Sequence, residues 1–237
     1  MMILLKVNKS KAALGVLALL LLASSAPSSI AAKPTPTLNG KFCADVLGGT
    51  WTAGKSPTCT ISGSYSAATF IIKSGVRLVI DFIQFTFNGS IINNGEIVNN
   101  GDFSNGVAIT NNGIFTNNGI FDNYGTFANT TNTGTFTNTG TINIISGNLF
   151  NNPGATINNN GTITKNNGTI NNLGTINNLG TLTNLNGGNF TNTGTINNFG
   201  TINNLGTINN LGTITNNCPY TWIGNVPDGG IRMFPTC

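Results

Sequence analysis

The sequence contains no histidine and very few charged residues. Asp, Glu, Lys and Arg together make up 7% of its 237 residues, against about a quarter in ordinary soluble proteins. Histidine is the commonest general base and a frequent metal ligand. The acidic residues are few and follow no recurrent pattern: Asp45, Asp81, Glu96, Asp102, Asp122 and Asp228. From this composition we expect a protein that is not an enzyme and that uses no metal or other cofactor.

The sequence also lacks an apolar run long enough to cross a membrane. The longest run, Ala12 to Ala23, has about 12 residues, whereas a transmembrane helix needs roughly 20. Basic residues precede this run: Lys6, Lys9 and Lys11. Because small residues follow it, we expect residues 1–32 to be a signal peptide that is cleaved after Ala31 or Ala32. The mature chain would then be secreted or held at the cell surface with no membrane span; the alternative is a retained N-terminal anchor.

A strong excess of basic charge is missing as well. The net charge of +4 includes the three lysines of the N-terminal segment, so seven basic residues face six acidic ones in the rest of the chain. Nucleic-acid binding normally requires a clustered basic surface. We therefore expect no nucleic-acid partner.

The chain does contain a six-residue repeat, from about residue 95 to residue 217. Its third position is Ile, Leu or Phe in all sixteen units that begin with Gly, and its fifth is Asn in fourteen; the exceptions are Ile144 and Lys165. The units begin at residues 95, 101, 113, 119, 125, 134, 140, 161, 168, 174, 180, 188, 194, 200, 206 and 212. One hexad cannot bury its own apolar side chain, so a fixed short period predicts units that stack on their neighbours.

Alternation within the hexad predicts a short strand with the third residue facing inward. The Asn-x-Gly segment is then the corner, because Gly adopts positive φ without a steric cost and Asn tolerates similar angles. We expect the fifth-position Asn to point inward and to stack on its equivalent in the next coil. The predicted fold is an all-β parallel β-helix (β-solenoid) over residues 60–217. Its coils hold either 18 residues, in a triangle, or 12, in a flattened loop.

The repeat is interrupted at four places, which we expect to be bulges or small loops. They are residues 106–112, 128–133, 144–160, which include Pro153, and 185–187.

Four cysteines lie outside the hexads, in two pairs: Cys43 with Cys59, and Cys218 with Cys237. Exported proteins reach an oxidising compartment, so disulfides are expected, and local pairing is favoured because the whole rod separates the pairs. The open ends of a solenoid expose unpaired strands and apolar core. We therefore interpret residues 33–59 and 218–237 as disulfide-closed caps. The alternative is that these loops form a binding tip or faces for head-to-tail assembly.

The Gly-x-Ile-x-Asn segments resemble the repeats of secreted parallel β-helix proteins, including adhesins of the filamentous-haemagglutinin type and autotransporter passengers. The resemblance covers roughly residues 60–217 and implies an architecture and a place on the cell surface, while no receptor-binding motif of that family maps onto this chain. In the left-handed hexapeptide helix of acyltransferases a small residue follows the aliphatic one. Here Asn or Thr follows it, so no acyltransferase is inferred.

Two functions fit such a rod. The first is a structural or adhesive surface component whose partner is a second copy of itself or a cell-surface glycan. The second is ice binding, in which outward Thr and Asn columns order surface water, although outward Thr is ordinary in any strand. The candidate outer-face array consists of Thr169, Asn171, Thr175, Asn177, Thr195, Asn197, Thr201, Asn203, Thr207 and Asn209.

Overall fold

The computed structural model describes residues 34–61, 64–81, 84–130, 134–217, 219, 221–229 and 232–233. The predicted signal peptide and the predicted pairing of Cys218 with Cys237 lie outside the described residues. From Thr35 onward the chain forms one compact unit. No helix among the described residues is long and apolar enough to cross a membrane.

The described residues of this unit form one short helix and 28 strands. The helix is α1 (Gly40–Asp45). The strands of the first half are β1 (Gly49–Thr52), β2 (Thr58–Ile61), β3 (Tyr65–Ser66), β4 (Thr69–Ile72), β5 (Arg77–Ile80), β6 (Phe85–Phe87), β7 (Ser90–Asn93), β8 (Glu96–Asn99), β9 (Asp102–Asn105), β10 (Ala108–Asn111), β11 (Ile114–Asn117), β12 (Ile120–Asn123), β13 (Thr126–Asn129) and β14 (Thr135–Asn138). Those of the second half are β15 (Thr141–Ile144), β16 (Asn148–Asn151), β17 (Thr156–Asn159), β18 (Thr162–Lys165), β19 (Thr169–Asn172), β20 (Thr175–Asn178), β21 (Thr181–Asn184), β22 (Phe190–Asn192), β23 (Thr195–Asn198), β24 (Thr201–Asn204), β25 (Ile208–Asn210), β26 (Thr213–Asn216), β27 (Thr221–Gly224) and β28 (Arg232–Met233).

The chain visits three sheets in turn, which confirms a parallel β-solenoid with three sides. Face I contains β4, β7, β10, β13, β16, β19, β22 and β25 in spatial order; face II contains β1, β2, β5, β8, β11, β14, β17, β20, β23, β26 and β28; face III contains β3, β6, β9, β12, β15, β18, β21, β24 and β27. Among the described strands all pairs are parallel except β1 with β2. Parallel pairing begins at β2 and continues to β28, so it extends on both sides of residues 60–217.

The register gives the length of a coil. Ser90 pairs with Ala108, and Glu96 with Ile114, in each case 18 residues apart. Where the corners carry extra residues the offset is larger, as between Thr126 and Asn148, which are 22 residues apart. Eighteen residues, or three hexads, therefore make the basic coil, and the 12-residue alternative is wrong.

Of the four predicted interruptions, residues 106–112 form a regular hexad, whereas residues 144–160 combine two regular strands with longer corners. Residues 106–112 contain β10, and residues 144–160 contain β16 and β17, all paired in register with their neighbours. A count anchored on Gly misses the units of β10 and β17 because Val107 and Ala155 begin them, and a strict count of six misses the unit of β16 because an extra corner residue precedes Gly147. Pro153 does lie in a small turn, which the Ala155 amide closes by donating to the Asn152 carbonyl at 3.0 Å.

The other two predicted interruptions lie between strands. Residues 185–187 form a connection between β21 and β22. In the segment 128–133, β13 ends at Asn129, and residues 131–133 lie outside the described part.

The core is a column of third-position side chains enclosed by the three sheets. Ile176, Ile202 and Phe115 are at most 1% exposed. In the coils up to Phe136 the column is largely aromatic, with ring centroids 4.8 Å apart for Phe115 and Phe136. Burying one such side chain stabilises the fold by about 1.5–3 kcal/mol. Because each coil supplies only three of them, stability depends on stacking between coils.

The fifth-position asparagines form the predicted ladders. Asn93 Nδ2 donates to Asn111 Oδ1 at 2.7 Å and to the Ile114 carbonyl at 2.9 Å, so each amide binds both the next amide and a corner carbonyl. On face I the ladder contains Asn93, Asn111, Asn129, Asn151, Asn172, Asn192 and Asn210. On face II it contains Asn99, Asn117, Asn138, Asn159, Asn178, Asn198 and Asn216. These bonds remove the usual cost of burying an amide.

The ladder of face III is broken in its middle. Asn105 donates to Asn123 and Asn184 donates to Asn204, but Ile144 and Lys165 occupy the two rungs between. Lys165 is 1% exposed and its Nζ donates to the Gly187 carbonyl. Burial lowers the pKa of this amine. The Oδ1 of Asn184, which a lower Asn would otherwise satisfy, is buried with no hydrogen-bond partner.

The hexad glycines serve a purpose other than the expected one. Among the described hexad glycines only Gly188 has a positive φ, of 59°, so the prediction of left-handed corners was wrong. A Cβ on Gly140 would instead lie 2.0 Å from the carbonyl oxygen of Gly119 in the coil below. Glycine is required because the corner backbones of successive coils pack in direct contact.

A small cap closes the lower end. Cys43 on α1 and Cys59 on β2 form a disulfide, as predicted, and both are fully buried. Asn39 caps the helix by accepting from the Phe42 amide at 2.9 Å. The Phe42 ring then packs 5.1 Å from the ring of Phe70, so the cap covers apolar side chains of the first coil.

Candidate binding faces

The outward residues of each strand are the second and fourth of its hexad, and on face II they form a regular array over five successive rungs. The second-position column is Thr135, Thr156, Thr175, Thr195 and Thr213. The fourth-position column is Thr137, Asn158, Asn177, Asn197 and Thr215. The rungs are about 4.8 Å apart and alternate residues of one strand about 6.6 Å apart. Hydroxyl and amide groups therefore lie on a repeating two-dimensional pattern.

Face III carries a second array of the same kind. Its second-position column is Thr141, Thr162, Thr181, Thr201 and Thr221. Its fourth-position column is Asn143, Thr164, Thr183, Asn203 and Ile223. Face I is less regular, since Phe150 lies between Ala128 and Asn171 in the outward fourth-position column.

Both arrays are electrically neutral. Within residues 134–217 the only charged residue is Lys165, and its side chain is buried. The nearest acidic residue on face III is Asp122, one rung below the array, which accepts a hydrogen bond from Asn143 Nδ2 at 2.8 Å. Among the described residues no cluster of three or more Cys, Asp or Glu side chains could hold a metal ion.

The outward asparagines of face II hold one another in place. Asn177 Nδ2 donates to Asn158 Oδ1 at 3.0 Å, and Asn197 Nδ2 donates to Asn177 Oδ1 at 3.0 Å. Side chains that are already ordered lose less conformational entropy when a partner binds. The fourth-position column of face II is thus a second, external amide ladder.

The ten residues of the predicted array are distributed over all three faces. Face II holds Thr175, Asn177, Thr195 and Asn197 in adjacent rungs; face III holds Thr201 and Asn203; face I holds Thr169, Asn171, Thr207 and Asn209. Only the first four are brought together.

Sequence reasoning missed most members of the two regular arrays, such as Thr156 on face II and Thr181 on face III. The signal that finds them is the 18-residue coil, because every third hexad returns to the same face.

An apolar ridge separates the two arrays. Leu179 and Phe199 occupy the sixth position of successive face II hexads, at the corner that leads to face III, and are 55% and 39% exposed. Hydroxyls and amides therefore flank a strip of exposed hydrocarbon, a combination that suits hydroxyl-rich polymers or a second rod.

Comparison with protein-family models, curated proteins and solved structures gives no match for this chain.

Proposed function

We propose that the protein is a non-enzymatic extracellular structural or adhesive surface component, and that its rod binds its partner through faces II and III. The observation that carries the proposal is the pair of uncharged Thr/Asn arrays, each of which runs through five successive rungs. The partner is a surface glycan or a second copy of the rod. Nucleic acid and membrane are not expected partners.

The chemistry of the arrays supports this choice. Threonine hydroxyls both donate and accept hydrogen bonds, and asparagine amides do the same with separate atoms. A partner rich in hydroxyl or amide groups can therefore pair with the array without leaving buried polar groups unsatisfied. Because the arrays carry no charge, binding should change little with ionic strength.

Co-sedimentation with insoluble cellulose and chitin, together with negative-stain imaging of the protein alone, tests the proposal. Thr175→Lys places a charge in the middle of the face II array. Thr169→Lys is the matched control, because it alters the same hexad sequence, Gly-Thr-Ile-Asn-Asn-Leu, on face I. We expect the first substitution to abolish co-sedimentation or assembly and the second to preserve it. Absence of both binding and assembly, or equal loss in the two variants, would refute the proposal.

Ice binding is the second candidate, and the regularity of the Thr columns favours it. A repeating array of ordered hydroxyls and amides can hold water in a fixed pattern. Thermal hysteresis and ice recrystallisation assays on the same two variants decide the matter. Activity that is lost in Thr175→Lys and kept in Thr169→Lys would replace adhesion by ice binding.

A further inference from the structure

A groove runs along the corner between faces I and II in the lower coils. Its cavity volume is about 360 Å³, within the range of about 300–1,000 Å³ that is usual for small-molecule clefts. Residues of three successive coils line it, among them Ser74, Asn94, Asn112, Arg77, Glu96 and Ile114.

The groove exists because the side chains at this corner differ in size from those at the same hexad positions higher on the rod. Higher on face II the second-position column is threonine, but here it consists of Arg77, Glu96 and Ile114, whose longer side chains raise one wall. Asn94 and Asn112 occupy the sixth position and form the other wall. Between the walls lie the first-position glycines, such as Gly95 and Gly113, which have no side chain to fill the space.

An ion pair supplies planar polar groups to one wall. Arg77 Nε and Nη2 donate to Glu96 Oε2 and Oε1, both at 2.8 Å. The two side chains remain 44% and 31% exposed, so the remaining guanidinium N–H groups and carboxylate lone pairs can meet a ligand. Exposed ion pairs contribute little to stability, and the chain uses charge sparingly. The position of the Arg77–Glu96 ion pair in a groove is therefore better explained by ligand binding than by a contribution to stability.

The other side of the groove adds an amide and a hydrocarbon surface. Asn94 Oδ1 accepts from Asn112 Nδ2 at 2.7 Å, while Asn94 Nδ2 donates to no residue in the described part of the chain. Ile114 is 49% exposed and provides an apolar contact next to these polar groups.

We propose that the groove binds one saccharide unit of a glycan. Arg77, Glu96 and Asn94 hydrogen-bond its hydroxyl groups, and Ile114 packs against the apolar face of its ring. This inference rests on the proposed adhesive function, to which it adds a defined contact site.

The balance of charge favours a neutral sugar over an ion. A free anion would meet the Glu96 carboxylate, and a cation would meet the Arg77 guanidinium, so each would be repelled by one member of the pair. A sugar hydroxyl both donates and accepts, and can use both members at once. The same groups therefore select a neutral polyol.

Titration of the full-length protein with cellohexaose and with maltohexaose, followed by amide NMR shifts at Gly95 and Gly113, tests the proposal. We expect saturable shifts with at least one of the two sugars. Asn94→Leu and Ile114→Thr should each weaken binding about tenfold or more. Both introduce residues that other hexads already carry at these positions, Leu173 and Thr135, so the fold should tolerate them.

Matched controls lie at the equivalent positions one face further along the coil. Asn100→Leu and Ile120→Thr make the same changes at the corner between faces II and III and on face III, and should leave the affinity unchanged. Glu96→Gln should weaken binding of a neutral sugar. No saturable shift with either sugar, equal losses in groove and control variants, or tighter binding by Glu96→Gln would each overturn the proposal.

Refutation of the groove proposal can be distinguished from refutation of the proposed adhesive function. Thr175→Lys lies on the array above the groove and should abolish co-sedimentation with polymer, while the saturable shifts of Gly95 and Gly113 with hexasaccharide should remain. If the groove binds no sugar but co-sedimentation persists and remains sensitive to Thr175→Lys, the groove proposal is refuted and the adhesive function stands.

Discussion

Replacing one asparagine of the internal ladder tests whether the amides hold the coils together. Asn178 lies in the middle of the face II ladder and is fully buried. It accepts from Asn159 Nδ2 at 2.7 Å and donates to Asn198 Oδ1 at 2.7 Å, to the Thr201 carbonyl at 2.9 Å and to the Gly180 carbonyl at 3.3 Å. Asn178→Leu keeps a similar volume but removes all four hydrogen bonds.

The expected loss of unfolding free energy in Asn178→Leu follows from the acceptors that lose a hydrogen-bond donor. Asn198 Oδ1 loses the Asn178 donor and keeps the Gly200 amide at 3.3 Å, and the Thr201 carbonyl loses the Asn178 donor as well. At about 1–2 kcal/mol for each weakened buried acceptor, the expected loss is about 2–4 kcal/mol in total. Asn159 Nδ2 loses one acceptor but keeps the Thr181 carbonyl at 3.0 Å, so it adds less. The free energy of unfolding from urea denaturation measures this loss.

The neighbouring residue provides the control. Asn177 has the same side chain on the same strand but points outward, where it bonds only to other outward asparagines. Asn177→Leu should change the unfolding free energy by no more than about 0.5 kcal/mol, as surface substitutions usually do. Equal destabilisation by the two variants would show that the inward ladder is not a special source of stability, and the reasoning would fail.

Three further predictions concern the corner glycines and the broken ladder. Gly140→Ala should destabilise by about 1–3 kcal/mol in the same urea assay, because its Cβ would meet a backbone oxygen at 2.0 Å; an unchanged midpoint would refute the close-packing explanation. Lys165→Asn should stabilise by about 1–2 kcal/mol, because its amide can donate to the unpartnered Asn184 Oδ1; a fall in unfolding free energy would contradict this. Burial lowers the pKa of Lys165 from 10.5, so the unfolded chain binds more protons between the lowered pKa and 10.5. Stability should therefore rise with pH through that window, and Lys165→Met, measured in parallel, should remove the rise.

Much of the fold follows from the hexad alone. The third-position aliphatic residue and the fifth-position Asn both recur at one phase, which is enough to place Ile176 and Asn178 inside and Thr175 outside. That inference needs only the alternation of side chains along a strand. The number of residues in a coil could not be predicted in this way, because the hexad sequence does not determine how many corners a coil has.

The composition of each face could not be obtained from a fixed count of residues. Thr201 and Thr207 are six residues apart but lie on different faces, whereas Thr175 and Thr195 are 20 apart and stack. Additional residues at the corners change the offset between coils without moving a strand to another face. Face membership therefore follows from the order of the hexads, which is hidden where Val107 or Ala155 replaces the expected glycine.

The structural role of the first-position glycines could not be predicted from the sequence either. Both a left-handed corner and a close backbone contact require a residue without a side chain. The φ angles of the hexad glycines and the distance from a Gly140 Cβ to the Gly119 carbonyl oxygen decide between them. The groove between faces I and II was missed for a related reason, because Arg77, Glu96 and Ile114 come together only once three coils are stacked.

The internal ladders explain how one rod can carry two different surfaces. Faces I and II have the same column of stacked Asn on the inside, so coils can be added without any change in the contacts that hold them. The outward positions are then free to differ between the lower and upper coils. Charged residues such as Arg77, Glu96 and Asp122 occupy the lower coils, and the neutral arrays occupy the coils from Thr135 upward. A substitution such as Ile114→Thr should therefore alter binding without weakening the stack, whereas one at Asn178 should do the reverse.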